Sequence, residues 1–296
     1  MTRAGFVALA GRPNVGKSTL TNAIVGVKVA IVSDRPQTTR RAVRGVATGP
    51  DWQLVLIDLP GGQRPRDART QRMARRVTLE LADADAALML LNGEEGVGPG
   101  DRYIAASLAA AQRPVTVAVN KVDRLSKERQ AQALLDAAAI APPTAEVFPI
   151  SARSGVGVTA LVEHLVSQLP DSPFLYESAQ RSDMAREELL AELIREQILR
   201  RTFQELPHAV GVVIEELGPD ECDGELTRID ALIWVETESQ KAIVVGRAGR
   251  MIKAIGTAAR RELERELGGR VHLSLIVRVR RHWRADDGLL DRLGIE

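Results

Sequence analysis

Up to about residue 170 the chain alternates short, continuously apolar runs with stretches in which apolar residues recur at helical spacing. The runs are FVALA (6–10), WQLVLID (52–58), AALMLLN (86–92), VTVAVN (115–120) and AEVFPIS (145–151). Runs without polar alternation suit strands buried on both faces of a parallel sheet. The segments between them, such as STLTNAIVG and DRYIAASLAAAQ, read as helices. The pattern is therefore βαβ repeated, which predicts an α/β fold with a doubly wound, mostly parallel sheet. In RAVRGVATGPDWQLVLID a Gly-Pro-Asp turn separates two strand-like runs, predicting one antiparallel edge hairpin.

LPDSPFLYES (169–178) interrupts this pattern with two prolines and reads as a linker. Beyond it, DMAREELLAELIREQILRRTFQEL is an amphipathic helix with Leu190, Ile194 and Ile198 on one stripe. Two strands follow, AVGVVIEEL and TRIDALIWVE, then a helix–loop–helix in QKAIVVGRAGRMIKAIGTAARRELEREL, then the strand RVHLSLIVRVRR. The expected organisation is a first domain over 1–170, a linker over 171–182 and a smaller α+β domain over 183–296.

Composition adds three points. With 296 residues the chain suits two domains, and 45% hydrophobic content is enough to pack both. The single cysteine, Cys222, excludes an internal disulfide and lies in the polar stretch GPDECDGE. No stretch approaches the roughly 20 apolar residues of a spanning helix, and the N-terminus is not of signal type, so a cytoplasmic protein is expected. The net charge of +1 conceals an asymmetry: from Lys241 to Arg284 twelve Lys or Arg face three Glu, a local +9, leaving −8 for the rest. That imbalance points to an anion-binding surface in the second half.

The strongest chemical signal is GRPNVGKST (11–19), which follows the first apolar run and opens a helix. Gly11 and Gly16, four residues apart, followed by Lys17 and Ser18, fit a phosphate-binding loop. The glycines let backbone N–H groups turn toward phosphates at a helix N-terminus. Lys17 would reach the β- and γ-phosphates and the Ser18 hydroxyl would ligate Mg²⁺. NKVD follows a buried strand: Asp123 can accept from guanine N1–H and its 2-amino group, whereas adenine would leave that carboxylate unpaired. Asn120 would stabilise the loop beside the base, and Lys121 would cover the base face with its alkyl stem. In SAR, Ser151 and Ala152 end another strand, and the Ala152 amide could donate to guanine O6. Two segments suit a γ-phosphate sensor: QTTR offers Thr38 and Thr39 as Mg²⁺ ligands, and DLPG offers Asp58 for Mg²⁺ and the Gly61 N–H for the γ-phosphate.

In the second half, Gly246-Arg247-Ala248-Gly249 joins two helices. Such a turn lets a nucleic-acid backbone approach closely, with single-stranded bases in an adjacent groove; a plain helix–turn–helix corner is the alternative. Arg250 and Lys253 follow, and Arg278 and Arg280 share one face of the last strand, charges suited to phosphates. Trp283 could stack a base or anchor the chain against the domain.

The order GRPNVGKS, QTTR, DLPG, NKVD, SAR is similar to the five G-motifs of translation-factor-class GTPases, and QTTR resembles the Era family. The half containing QKAIVVG, the G-x-x-G turn and VRVRRHWR resembles a type II KH domain, as in the C-terminal part of Era proteins. The resemblance covers about residues 4–285 in the right domain order. It implies a P-loop G-domain followed by a type II KH domain, and hydrolysis of GTP with water to GDP and phosphate. The phosphate loop would extend its contacts to Val15 and Thr19. Lys17, Thr39 and Gly61 would carry catalysis together with Mg²⁺, and Asn14 would bind K⁺. Implied partners are the 3′ end of 16S-type ribosomal RNA and the 30S subunit, whose maturation the protein would assist as a monomer. Peripheral contact with the inner face of the membrane is also implied, although no strong basic amphipathic helix is visible in the chain. Two departures bear on rate. Leu59 stands where the family usually has Thr, and Gly62, not a glutamine, follows the switch glycine, with Gln63 one further. Slow intrinsic turnover, on the order of 10⁻⁴ to 10⁻³ s⁻¹, is the expectation. Two other readings stay open on sequence alone: an RNA-binding adaptor with a weakly hydrolysing G-domain, or an Era relative acting on another RNA.

Overall fold

The computed structural model describes residues 2–33, 42–59, 80, 81, 83–202, 210–220 and 224–281. Thr38, Thr39, Gly61, Gly62, Gln63, Cys222 and Trp283 lie outside these. The chain divides into two compact units: Met1–Ala30 with Ala42–Asp183, and Ile31–Arg41 with Met184–Glu296.

The first unit is built on six strands: β1 (Arg3–Ala10), β2 (Val43–Thr48), β3 (Trp52–Asp58), β4 (Ala86–Asn92), β5 (Val115–Asn120) and β6 (Val147–Pro149). Their order is β2-β3-β1-β4-β5-β6. All neighbours are parallel except β2 with β3, the expected edge hairpin. Its helices among the described residues include α1 (Lys17–Val25), α2 (Pro99–Ala110), α3 (Lys127–Ile140) and α4 (Val158–Ser167).

Successive side chains of a strand point to opposite faces, and β1 shows it. Val7 and Leu9 pack with Leu20 of α1 and Leu161 and Leu165 of α4. Ala8 and Ala10 pack with Ile104 and Leu108 of α2 and Ala133 and Ala137 of α3. The sheet is thus covered twice, which is why β4 is buried at every position and reads as an unbroken apolar run. Burial of each Leu, Ile or Val contributes about 1.5–3 kcal/mol. Because these strands are parallel, the carboxyl ends of β1, β3, β4, β5 and β6 lie at one edge of the sheet, where α/β sheets place their ligands.

Residues 171–182 are not a loose tether. Buried Gln53 on β3 accepts from the amides of Leu175 and Tyr176 (2.7 and 2.9 Å) and donates to the Tyr176 carbonyl (3.0 Å). The Val46 amide of edge strand β2 donates to the Arg181 carbonyl at 2.8 Å. The segment therefore runs along the sheet and covers the exposed edge of β2.

The second unit contains α5 (Arg186–Arg201), β7 (Gly211–Pro219), β8 (Leu226–Val235), α6 (Glu238–Val245), α7 (Arg250–Leu267) and β9 (Arg270–Val279). Its sheet has the order β7-β8-β9, with β7 antiparallel and β9 parallel to β8. Leu190, Ile194 and Ile198 form the predicted stripe and meet Ile229 and Ile233 of β8 and Ile255, Ala259 and Leu263 of α7. The stripe alone understates the burial of α5, because Arg195, Glu196 and Gln197 are also buried. Glu196 accepts from the Val32 amide (3.0 Å) and from Arg200 (3.0 Å).

Candidate functional site

The turn from β1 into α1 has the backbone that a phosphate loop needs. Asn14 and Gly16 take left-handed conformations (φ 64° and 105°), and α1 begins directly after, at Lys17. A Cβ on Gly16 would lie 2.2 Å from Asn120 Nδ2, and one on Gly11 would lie 2.6 Å from the Leu90 carbonyl oxygen. Both positions require glycine because other chain segments approach them. Lys17 curls back over the loop, its ammonium donating to the carbonyls of Gly11 (3.0 Å) and Arg12 (3.1 Å). Thr19 sits in the first turn of α1, and Val15 is buried.

At the end of β3, the Ser18 hydroxyl donates to Asp58 Oδ2 at 2.5 Å. Asp58 is fully buried, and its Oδ1 has no hydrogen-bond partner among the described residues. Burial pushes the Asp58 carboxyl up from its usual range, against the pull of Lys17 and of the Ser18 hydrogen bond. Burial pushes Lys17 down, against the pull of Asp58. A hydroxyl and a carboxylate side by side, with one buried oxygen uncommitted, are a donor set that fits a hard divalent cation such as Mg²⁺. Leu59 is buried among Ala10, Ile57 and Leu91, so its departure from the usual Thr serves the core.

The segment after β5 meets the phosphate loop directly. Asn120 is buried; its Nδ2 donates to the Val15 carbonyl (2.8 Å) and its Oδ1 accepts from the Ala152 amide (2.9 Å). One side chain thus ties together the segments following β1, β5 and β6. The Ala152 amide, expected to donate to guanine O6, here donates to Asn120 Oδ1, so meeting a base as well would make it a shared donor. Lys121 takes a left-handed backbone (φ 68°) and leads into a single turn, Val122–Arg124, in which Asp123 is exposed. Ser151 is buried, and its Oγ accepts from the Ser154 amide at 3.2 Å, closing the turn after β6.

Sequence reasoning missed the loop between β4 and α2. Arg12 pairs with buried Asp101 (2.8 Å) and with Glu95 (3.1 Å), and also donates to the Gly96 carbonyl (3.2 Å). Asp101 in turn accepts from the Gly98 amide (2.8 Å), with Pro99 opening the helix. The signal was present in G-P-G-D, a helix start with Pro in first position and an acid that caps it.

In the second unit, the G-x-x-G turn separates α6 from α7. Gly246, Ala248 and Gly249 all have positive φ (71°, 51° and 74°). A Cβ on Gly246 would press on Met251 at 2.6 Å, whereas one on Gly249 would have nothing within 4 Å. The turn therefore presents open backbone to the outside. Arg247, Arg250 and Lys253 are exposed around it. Beside it a groove of about 380 Å³ runs between α7 and β9, with Ile252, Gly256, Leu273 and Leu275 apolar and Lys253 and Arg260 polar. Arg278 and Arg280 are exposed and alternate with Val277 and Val279, which pack on the core. They share the sheet face turned away from the helices, and the Arg280 guanidinium lies 5.6 Å from the centre of the Trp234 ring.

The comparisons with known proteins follow the same division. Residues 6–121 match the family described as 50S ribosome-binding GTPase, and residues 205–284 match the KH domain. GTPase Era of Mycolicibacterium smegmatis is 43% identical over 294 residues, spanning 99% of this chain and 98% of that protein. The chain belongs to the Era family of GTPases. GTPase Era of Mycobacterium avium is 42% identical over the same length and coverage. Among solved structures, Era in complex with MgGDPNP and nucleotides 1506–1542 of 16S ribosomal RNA has a TM-score of 0.93 at 33% identity, covering 100% of this chain and 99% of that one. An Aquifex aeolicus Era variant bound to GDP·AlF4⁻ gives 0.93 at 32% identity, with 99% of both chains covered. This Era-family protein is a GTPase with a P-loop G-domain and a KH domain, and its cofactors are guanine nucleotide and Mg²⁺. Among the described residues, no helix is long and apolar enough to cross a membrane.

Proposed function

We propose that this chain is a GTP-driven switch that grips single-stranded sequence at the 3′ end of small-subunit ribosomal RNA and assists maturation of the 30S subunit. The observation that carries it is the full-length likeness to an Era that holds both MgGDPNP and a 16S ribosomal RNA fragment. The open Gly249 backbone beside a basic-edged apolar groove is the surface such an RNA needs. Its phosphates would meet Arg247, Arg250 and Lys253, and its bases would lie over Leu273 and Leu275.

In the G-domain, Lys17 releases the carbonyls it now bridges and binds the β- and γ-phosphate oxygens. Amides of the loop from Asn14 to Ser18 face the same phosphates at the positive end of α1. Ser18 and Asp58, with Thr38 or Thr39, would hold Mg²⁺, which would supply positive charge beside the phosphates. Asp123 takes the guanine edge and Lys121 lies over its face. Water attacks the γ-phosphorus, the bond from that phosphorus to the β–γ bridging oxygen breaks, and GDP leaves with that oxygen. The Gly61 amide would steady the γ-phosphate, and Asn14 would be the residue to hold a K⁺ ion, which would supply further positive charge there. With no glutamine directly after Gly61, turnover is slow until RNA binds. Substrate and partner put this work in the cytoplasm.

Single-turnover GTP hydrolysis with and without the RNA 3′-end sequence tests the switch, and an absent RNA effect would favour the adaptor. Crosslinking of wild type and Gly249→Asp in cells, followed by sequencing of bound RNA, tests the target. Recovery without ribosomal RNA enrichment defeats it.

A further inference from the structure

The loop from Gly93 to Gly98 braces both ends of the nucleotide site. On one side it holds Arg12 of the phosphate loop, through Glu95 and the Gly96 carbonyl. On the other it lies against the base segment. The Gly93 amide donates to the Asn120 carbonyl at 3.0 Å. A Cβ on Gly93 would come within 2.8 Å of Leu125 Cδ1 and 3.1 Å of that carbonyl oxygen. Glu94, next in the chain, has its amide fixed by Asn92 Oδ1 at 3.1 Å. Its carboxylate lies 3.7 Å from the Lys121 ammonium and 3.1 Å from Arg124 Nη1.

We propose that Glu94 is a positioning residue for guanine binding, acting through Lys121. A lysine stem is flexible, and ordering it at the moment of binding costs affinity. The left-handed backbone at Lys121 sets where its side chain departs, and the Glu94 carboxylate holds the far end. Between these two fixed points the alkyl stem is laid out before a base arrives. The same carboxylate also pairs with Arg124. The inference rests on the reading of Lys121 as the residue that covers the base.

The test uses the full chain with Glu94→Gln, Lys121→Met and Arg124→Gln, singly and in pairs with Glu94→Gln. Kd for GDP and GTP is measured by titration, and single-turnover hydrolysis at saturating GTP gives the contrast. The three side chains are part-exposed, so Glu94→Gln should weaken both nucleotides about 3- to 5-fold, the upper range for such pairs. The saturating rate should stay within about twofold, and the gap from wild type should narrow at about 1 M salt. In the Lys121→Met background Glu94→Gln should have no further effect, while in the Arg124→Gln background its full effect should persist. If Glu94→Gln adds fully to Lys121→Met, or leaves affinity unchanged while Lys121→Met lowers it, the inference is overturned alone. If Lys121→Met leaves affinity intact, the inference is overturned, and if Lys121→Ala, which removes the stem, does so too, the reading of the base site falls with it.

Discussion

Asn120 is the joint of the proposed nucleotide site, and Asn120→Ala measures what the joint contributes. The substitution removes two hydrogen bonds to buried backbone, 2.8 Å to the Val15 carbonyl and 2.9 Å from the Ala152 amide. Each orphaned group costs about 1–3 kcal/mol. Water entering the vacated space recovers part, so apo stability should fall by about 2–4 kcal/mol. Nucleotide affinity should fall as well, by about 10²- to 10³-fold, since three segments lose their mutual alignment and each 1.4 kcal/mol is tenfold. Denaturant unfolding of the nucleotide-free protein reads the first quantity, and titration with a fluorescent GDP reads the second. The same joint can be approached from the other side. In Gly16→Ala the new Cβ would meet Asn120 Nδ2 at 2.2 Å, in addition to the strain of φ 105°. With Asn120 truncated, that collision disappears and only the backbone strain remains. The two substitutions should therefore be less damaging together than the sum of each alone, by more than about 1 kcal/mol. Strict additivity, or an apo stability change below about 0.5 kcal/mol for Asn120→Ala, would refute the reasoning.

The other predictions concern single groups. Asp123→Asn replaces an acceptor with an amide, so GTP binding should weaken at least about 10²-fold while XTP, which offers a carbonyl in place of the 2-amino group, binds better; unchanged preference removes Asp123 from the base edge. Ser18→Ala should raise the Mg²⁺ needed for half-maximal hydrolysis by about tenfold or more and leave Mg²⁺-free GDP binding within about threefold, and an unshifted Mg²⁺ dependence would detach Ser18 from the metal. Glu196→Ala should destabilise the second unit by about 2–4 kcal/mol in denaturant unfolding, because the part-buried Val32 amide loses its acceptor and a cavity opens at a fully buried side chain; a loss under about 0.5 kcal/mol contradicts that account.

The architecture was legible where chemistry is local. Strands buried on both faces show as unbroken apolar runs, and four of the five first-half runs coincide with β1, β3, β4 and β5 to within a few residues. The fifth, AEVFPIS, shrinks to Val147–Pro149, since an edge strand pairs on one side only. Asn120, too, was readable as a loop stabiliser, because the spacing of NKVD from the phosphate loop implies a meeting. Its partners were not readable: Val15 and Ala152 lie 105 and 32 residues away, and nothing local marks an amide as already engaged. The ordered course of residues 171–182 was hidden for the same reason. Two prolines advertise a break, but the break is bound by Gln53, 122 residues earlier for Leu175. Buried Arg195, Glu196 and Gln197 escaped a helical-wheel reading because their burial follows from what surrounds α5, including residue 32, and not from its own periodicity.

The G-x-x-G turn carries a local conflict whose resolution bears on function. Gly tolerates positive φ at little cost, yet Ala248 holds φ 51° between Arg247 and Gly249, a conformation that costs an alanine about 1 kcal/mol. A glycine there would remove that strain but would enlarge the entropy of the unfolded chain, by about 0.5–1 kcal/mol, so the two choices nearly balance for stability. They do not balance for binding. A turn with glycines at Gly246, 248 and Gly249 would have to be ordered when a nucleic-acid backbone settled on it. With Ala248 the turn is ordered beforehand, while Gly249, with open space where a Cβ would stand, keeps the approach clear. If the turn is the proposed RNA surface, small local strain at Ala248 is the counterpart of a surface set in place before its ligand arrives.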